Sequence, residues 1–152
     1  MDNCEWVIDT YVLYQAADYI LTAQHFLTSI SLKPQHKVAV DLGRCILRQY
    51  EKCFKRTKNK NEFPQKWWRR IKDTSNKLTF RHGKVSNRCN KHLQDLCCHN
   101  DDFPFIGVAS RTKDKLLVTE DSDYTSEIRK YLKKELLVQV MSIEEADNHA
   151  SQ

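Results

Sequence analysis

Short apolar runs alternate with amphipathic stretches along this chain of 152 residues, and the alternation predicts an α/β fold. The expected architecture is three layers, α/β/α, around a central, mostly parallel sheet of four or five strands. Two runs set the frame, Trp6-Val7-Ile8 and Leu116-Leu117-Val118, which read as strands buried on both faces. Each is followed by acid: Asp9 after the first, and Glu120, Asp121 and Asp123 after the second. In open α/β sheets the working groups gather beyond the carboxyl ends of the strands, so carboxylates from opposite ends of a chain can converge. Crowded carboxylates repel one another unless a divalent cation sits among them. This points to a metal-dependent hydrolase.

The remaining elements follow in order. Tyr14 to Ile30 places Ala17, Ile20, Leu21, Gln24, Phe26, Leu27 and Ile30 near a period of about 3.6 and predicts one helix, ended by Lys33-Pro34. Val38-Ala39-Val40 with Asp41-Leu42-Gly43 reads as a strand and turn. A helix from Ile46 to Lys55 carries Gln49, Tyr50 and Glu51, and the polar stretch Thr57–Gln65 reads as a mobile loop. Helices are expected around Gln65–Asn76 and Asn87–Cys98. Asn100-Asp101-Asp102-Phe103-Pro104 is a helix start, with Asp102 at the N-cap and Pro104 in the first turn, and that helix runs to about Thr112. After the second acid-tipped strand come a helix from about Tyr124 to Lys134, capped by Ser122 or Asp123, and a strand over Leu136–Met141. One domain is expected over residues 1–142, with a polar, acidic tail at 143–152 that frays.

Composition narrows the function. The apolar runs are far shorter than the about 18 residues of a membrane span, and Met1-Asp2-Asn3-Cys4-Glu5 lacks the layout of a signal peptide. A cytoplasmic protein without a membrane partner is expected. Its six cysteines are then reduced thiols, and the cluster Cys89, His92, Cys97, Cys98, His99 lacks the paired Cys-x-x-Cys units of a structural zinc site. With only Gly43, Gly83 and Gly107, no dinucleotide fingerprint, P-loop or Gly-x-Ser-x-Gly elbow can be written.

Charge is segregated. Residues 52–92 hold 14 Lys and Arg against two acids, Glu62 and Asp73, while the rest of the chain holds 11 basic and 18 acidic residues. A basic segment interleaved with Phe54, Phe63, Trp67, Trp68 and Phe80 suits a phosphate backbone with unpaired bases to stack on. Lys55, Arg56, Lys66, Trp67, Trp68, Arg69, Arg70, Arg81, Lys84 and Arg88 are the candidate nucleic-acid contacts. The competing reading is a solvated helical face whose tryptophans belong to the core.

The order of parts resembles the PIN-domain nucleases, including the VapC-like toxins of toxin–antitoxin pairs. The most specific stretch is Leu117-Val118-Thr119-Glu120-Asp121-Ser122-Asp123-Tyr124, and next comes Val7-Ile8-Asp9-Thr10. Asp102, opening a helix with Ala109 seven positions on, is the third part, and the similarity covers roughly residues 4–142. The resemblance implies three or four acids that bind Mg²⁺ or Mn²⁺ and cut single-stranded RNA. Asp9, Asp102 and Asp121 match the metal-binding acids, with Asp123 beside the last. For the family's internal acid Glu51 is the choice, Asp41 the rival, and Gln49 an uncharged occupant of the same position. Tyr11 stands where the family commonly has asparagine. The resemblance also implies a homodimer and an antitoxin protein as partners.

Each acid also has a structural role open to it. Asp102 can cap its helix, worth about 1 kcal/mol, and Asp121 or Asp123 can cap the next. Asp9 is the hardest to explain so, because a carboxylate ending an apolar strand needs a partner. Two rival functions use the same residues: a DNA or structure-specific nuclease with the same metal site, and a catalytically degenerate module that only binds nucleic acid.

Overall fold

The computed structural model describes residues 3–152. Five parallel strands form one sheet: Cys4–Ile8 (β1), His36–Asp41 (β2), Leu78–Arg81 (β3), Leu116–Val118 (β4) and Gln139–Met141 (β5), in the order β3-β2-β1-β4-β5. Helices α1 (Thr10–Ala17) and α2 (Leu21–Leu32) join β1 to β2, and α3 (Cys45–Thr57) and α4 (Phe63–Asp73) join β2 to β3. Then α5 (Asn87–Asp95) and α6 (Phe103–Arg111) lead to β4, α7 (Ser126–Leu136) leads to β5, and α8 (Ile143–Ala150) follows. The expected α/β class is the one adopted, with an all-parallel sheet between helical layers.

A strand covered on both faces must be apolar throughout. Trp6, Val7, Ile8, Val38, Ala39, Val40, Leu117 and Val118 are all fully buried. The Trp6 ring meets Phe26 of α2 and His149 of α8, with centroids 5.1 and 5.5 Å away. Helix α6 packs along β1, β2 and β4. Strand order reverses beside β1, so the space beyond the carboxyl ends of β1 and β4 is the switch point of the sheet. Asp9 leaves β1 there and Thr119 leaves β4 there.

The structure corrects several expected elements. The single helix over Tyr14–Ile30 is two, broken at Asp18–Ile20 with Tyr19 at a left-handed φ of 64°. Lys60 pairs with Asp18, and the Tyr19 hydroxyl donates to the Lys60 carbonyl, which holds the break. Strand β3 lies at the sheet edge, partly exposed, and its Leu-Thr-Phe-Arg sequence carries no apolar run. Thr125, not Ser122 or Asp123, caps α7, its hydroxyl accepting from the Ile128 N–H. Leu136 ends that helix, so β5 is shorter than Leu136–Met141.

The 143–152 segment, expected to fray, instead forms α8 through Ala150 and packs on α2. Ser142 and Glu145 make a reciprocal capping box, Ile143, Ala146 and Ala150 are buried, and Glu120 accepts from the Ile143 N–H at 3.1 Å. Among the described residues no helix is long and apolar enough to cross a membrane.

Candidate active site

The four aspartates expected at the site line one pocket of about 260 Å³: Asp9 after β1, Asp102 at the head of α6, and Asp121 and Asp123 after β4. Thr10, Tyr11, Tyr14, Gln49, His99 and Asp101 complete its wall. The pairing of β1 with β4 fixes the first of these acids, because the Asp9 N–H still donates to the Val118 carbonyl at 3.0 Å. The Asp9 carboxylate accepts from the Thr119 hydroxyl at 2.7 Å, and that hydroxyl accepts from the Asp121 N–H at 3.0 Å. Thr119, fully buried, therefore ties the ends of the two strands together. It stands inside the most specific sequence stretch, yet sequence reasoning passes over it as strand. The available signal was a threonine placed directly between a buried strand and an acid.

The other acids are positioned by their own turns. The Asp123 N–H donates to the Asp121 carboxylate at 3.0 Å, so both side chains leave one tight turn. Asp102 ends a single 3₁₀ turn, Asn100–Asp102, and precedes Pro104 in the first turn of α6. It occupies the N-cap position without making a capping hydrogen bond, which leaves its carboxylate to the pocket. From the opposite side the Tyr50 hydroxyl donates to the Ile8 carbonyl at 2.5 Å and anchors α3 against the peptide before Asp9.

Burial and mutual repulsion show in the protonation of these groups. Burial pushes Asp9 up to about 6, and the charge of Asp121 adds to the rise against the hydrogen bond from Thr119. Asp102 is pushed up to about 7, first by burial and then by the charges of Asp9, Asp121, Asp123 and Asp101. No lysine or arginine lines the pocket. Two hydroxyls are buried without a hydrogen-bond partner among the described residues: Thr10 Oγ1, in the pocket wall, and Tyr124 OH, whose ionisation is opposed by burial and by Asp102 and Asp9.

Hard carboxylate oxygens, uncompensated negative charge and a spare hydroxyl fit a divalent cation such as Mg²⁺ or Mn²⁺. Among the described residues no three His, Cys, Asp or Glu side chains are grouped to hold one ion. Mg²⁺ does not require such a cage, since it keeps several waters and takes one or two carboxylates together with substrate phosphates. One or two of Asp9, Asp102 and Asp121 would hold it directly, with waters filling the remaining positions.

Glu51 is not in this pocket. It is exposed and lines shallow surface clefts with Arg48 and with Lys55. Gln49 takes the inward place, its amide donating to the Asp101 carbonyl at 2.8 Å. The two positions lie about 200° apart around a helix, so only one can face the acids. Asp41 is buried at the end of β2, and its carboxylate accepts from the N–H groups of Cys45 and Ile46 in the first turn of α3 at 2.9 and 2.8 Å. It anchors that helix.

The basic segment divides in the same way. Lys55, Arg56, Lys66, Arg69, Arg70, Lys84 and Arg88 are exposed. Arg81 is engaged by Glu5 at 2.6 Å. Trp67 and Trp68 are buried, against the expectation that they stack on bases, and Trp67 Nε1 donates to the Leu27 carbonyl at 2.7 Å. Replacing Trp67 by alanine is therefore expected to destabilise the fold by about 3–5 kcal/mol, read as a fall in Tm. An unchanged Tm with weakened RNA binding would return Trp67 to the surface. No protein-family model, no curated protein and no solved structure matches the chain.

Proposed function

We propose that this protein is a metal-dependent endoribonuclease of the PIN type that cuts single-stranded RNA, using Mg²⁺ or Mn²⁺ held by Asp9, Asp102 and Asp121. One observation supports the reading above all: Asp9, Asp102, Asp121 and Asp123 line one pocket at the switch point of a parallel sheet, and among the described residues no lysine or arginine lines it. A bound divalent cation lowers the pKa of a bound water and neutralises charge on a scissile phosphate. Asp123, exposed at the rim, orients the attacking water and takes its proton. Thr119 keeps the Asp9 carboxylate turned toward the strand gap. Tyr14 lines the pocket and its hydroxyl accepts from Arg56 at 3.4 Å, so the basic surface of α3 begins at the edge of the site. Arg56 and Lys55 there, with Arg69 and Arg70 on α4, supply affinity for a phosphate backbone that weakens with salt.

The test is cleavage of labelled single-stranded RNA and DNA with Mn²⁺, Mg²⁺ or EDTA, comparing the native protein with Asp9→Asn. RNA is expected to be cut only with a divalent cation, and the substitution to lower the rate by about a hundredfold or more. Preferred cutting of DNA would reassign the substrate, and full activity in Asp9→Asn would remove the proposed site. The inward place of Gln49 favours one other reading, a binding module without catalysis. Salt-sensitive RNA binding with no cleavage under any metal would establish that alternative.

A further inference from the structure

A cavity of about 610 Å³ lies beside the acid pocket and is separate from it. The two share a wall, the segment His99–Pro104. His99, Asp101 and Asp102 face the acids, while Asn100, Phe103 and Pro104 face the larger cavity. Whatever fills that cavity therefore lies next to whatever is bound among the aspartates.

Its lining is chemically specific. Leu42, Val85 and Phe103 give an apolar surface, and Asn87, Asn90 and Asn100 line the same space. Each amide carries both donors and an acceptor. Among the described residues, none of the three makes a hydrogen bond through its side chain. An apolar surface beside asparagine amides that are not otherwise hydrogen-bonded suits an aromatic heterocycle with donors and acceptors on its edge, the pairing by which asparagine reads a base. Lys84 adds one cation for one phosphate. The volume lies within the about 300–1,000 Å³ of small-molecule sites.

The cavity is also preformed. Arg111 donates to the carbonyls of His82 and Lys84 at 3.2 and 2.5 Å, which clamps the loop that forms one side. Gly83 of that loop lies so close to α6 that a Cβ on Gly107 would come within 2.1 Å of its carbonyl oxygen. A rigid wall lowers the ordering cost of binding.

We propose that this cavity is a base-recognition subsite, which takes one unpaired nucleobase of the strand whose neighbouring phosphate lies among the aspartates. The proposal rests on the nuclease reading for that neighbour, but not for the base. It makes the protein selective for sequence beside the cut.

The experiment follows the side-chain amide signals of the asparagines by ¹⁵N NMR while each of the four nucleoside 5′-monophosphates, and inorganic phosphate, is added in EDTA. Expected are saturable shifts at Asn87 and Asn90 with one or two of the nucleotides, none with inorganic phosphate, and unaltered binding in Asp9→Asn. Asn90→Ala and, separately, Asn87→Ala should each weaken the preferred nucleotide about tenfold with backbone spectra that remain folded. In the Mn²⁺ cleavage assay both variants should keep cutting RNA with a relaxed base preference beside the cut. Equal shifts with inorganic phosphate, no shift with any nucleotide, or native binding and cut-site preference in both variants would overturn the subsite. Because the titration needs no cleavage, nucleotide binding in a protein that cuts nothing would keep the base site and remove the nuclease.

Discussion

Asp9→Asn is expected to stabilise the metal-free protein at neutral pH by about 2 kcal/mol, and Mn²⁺ is expected to stabilise the native chain but not the variant. An unperturbed aspartate titrates near about 3.9, whereas folding raises Asp9 to about 6 and Asp102 to about 7. Between about pH 4 and those values the native state keeps protons that the unfolded chain has released. Stability from these groups therefore falls as pH rises through that window, and the full cost is present above about pH 7. For Asp9 alone the displacement corresponds to about 3 kcal/mol, and burial of an asparagine amide in its place returns part of that.

His36 acts with the opposite sign. Burial lowers its pKa, so its contribution to stability is lost as pH falls below about 6.5. The informative quantity is thus the difference between native and variant Tm at each pH. The Asn protein should melt about 4–8 °C above the native one at pH 7.5 in EDTA, with the gap closing toward pH 5. Added Mn²⁺ should raise only the native protein, since a ligand stabilises the state that binds it. An Asn variant that melts lower at pH 7.5, or equal rescue of both proteins by Mn²⁺, would show that the aspartates neither repel one another nor share a cation.

The parts of this site legible in the sequence are those fixed by strand periodicity. Asp9 and Asp121 were visible because an apolar run that stops at an acid marks both a buried strand and its carboxyl end. Asp102 was visible as a helix start, and the structure frees it from the capping role that the position suggested. What stayed hidden depended on which way a helix faces. Ile46, Tyr50, Cys53, Phe54 and Thr57 are the buried stripe of α3, and Gln49 falls on its margin at i+3 from Ile46, while Glu51 falls on none of it. The charge of Glu51 outweighed its phase. The same stripe in α4, Pro64, Trp67, Trp68 and Ile71, turns both tryptophans inward and Lys66, Arg69 and Arg70 outward. Strand β3 was illegible for a different reason: an edge strand has one half-covered face and one unpaired rim, and its sequence need not be apolar.

Gly107→Ala is expected to destabilise the protein by about 3 kcal/mol or more, although glycine inside a helix is ordinarily a weakness that alanine repairs. A Cβ at that position would meet the Gly83 carbonyl oxygen at 2.1 Å and its carbon at 2.4 Å, and backbone atoms cannot rotate away. The loop cannot withdraw freely either. Arg111 holds its carbonyls, and Gly83 is itself wedged against Asp41, whose Cβ would lie 2.9 Å from a side chain there. Asp41 in turn anchors the N-terminus of α3, and α3 carries Tyr50 to the Ile8 carbonyl beside Asp9. Displacing α6 from this loop should therefore lower Tm by about 6–12 °C and loosen the acid pocket, with loss of cleavage in the fraction that remains folded. Gly43→Ala is the control, because its Cβ meets only the Asp41 carboxylate at 3.3 Å, and it should stay within about 1 kcal/mol of the native protein. A Gly107→Ala protein that melts no lower than Gly43→Ala would mean that the contact between α6 and the Gly83 loop does not set the geometry of the site.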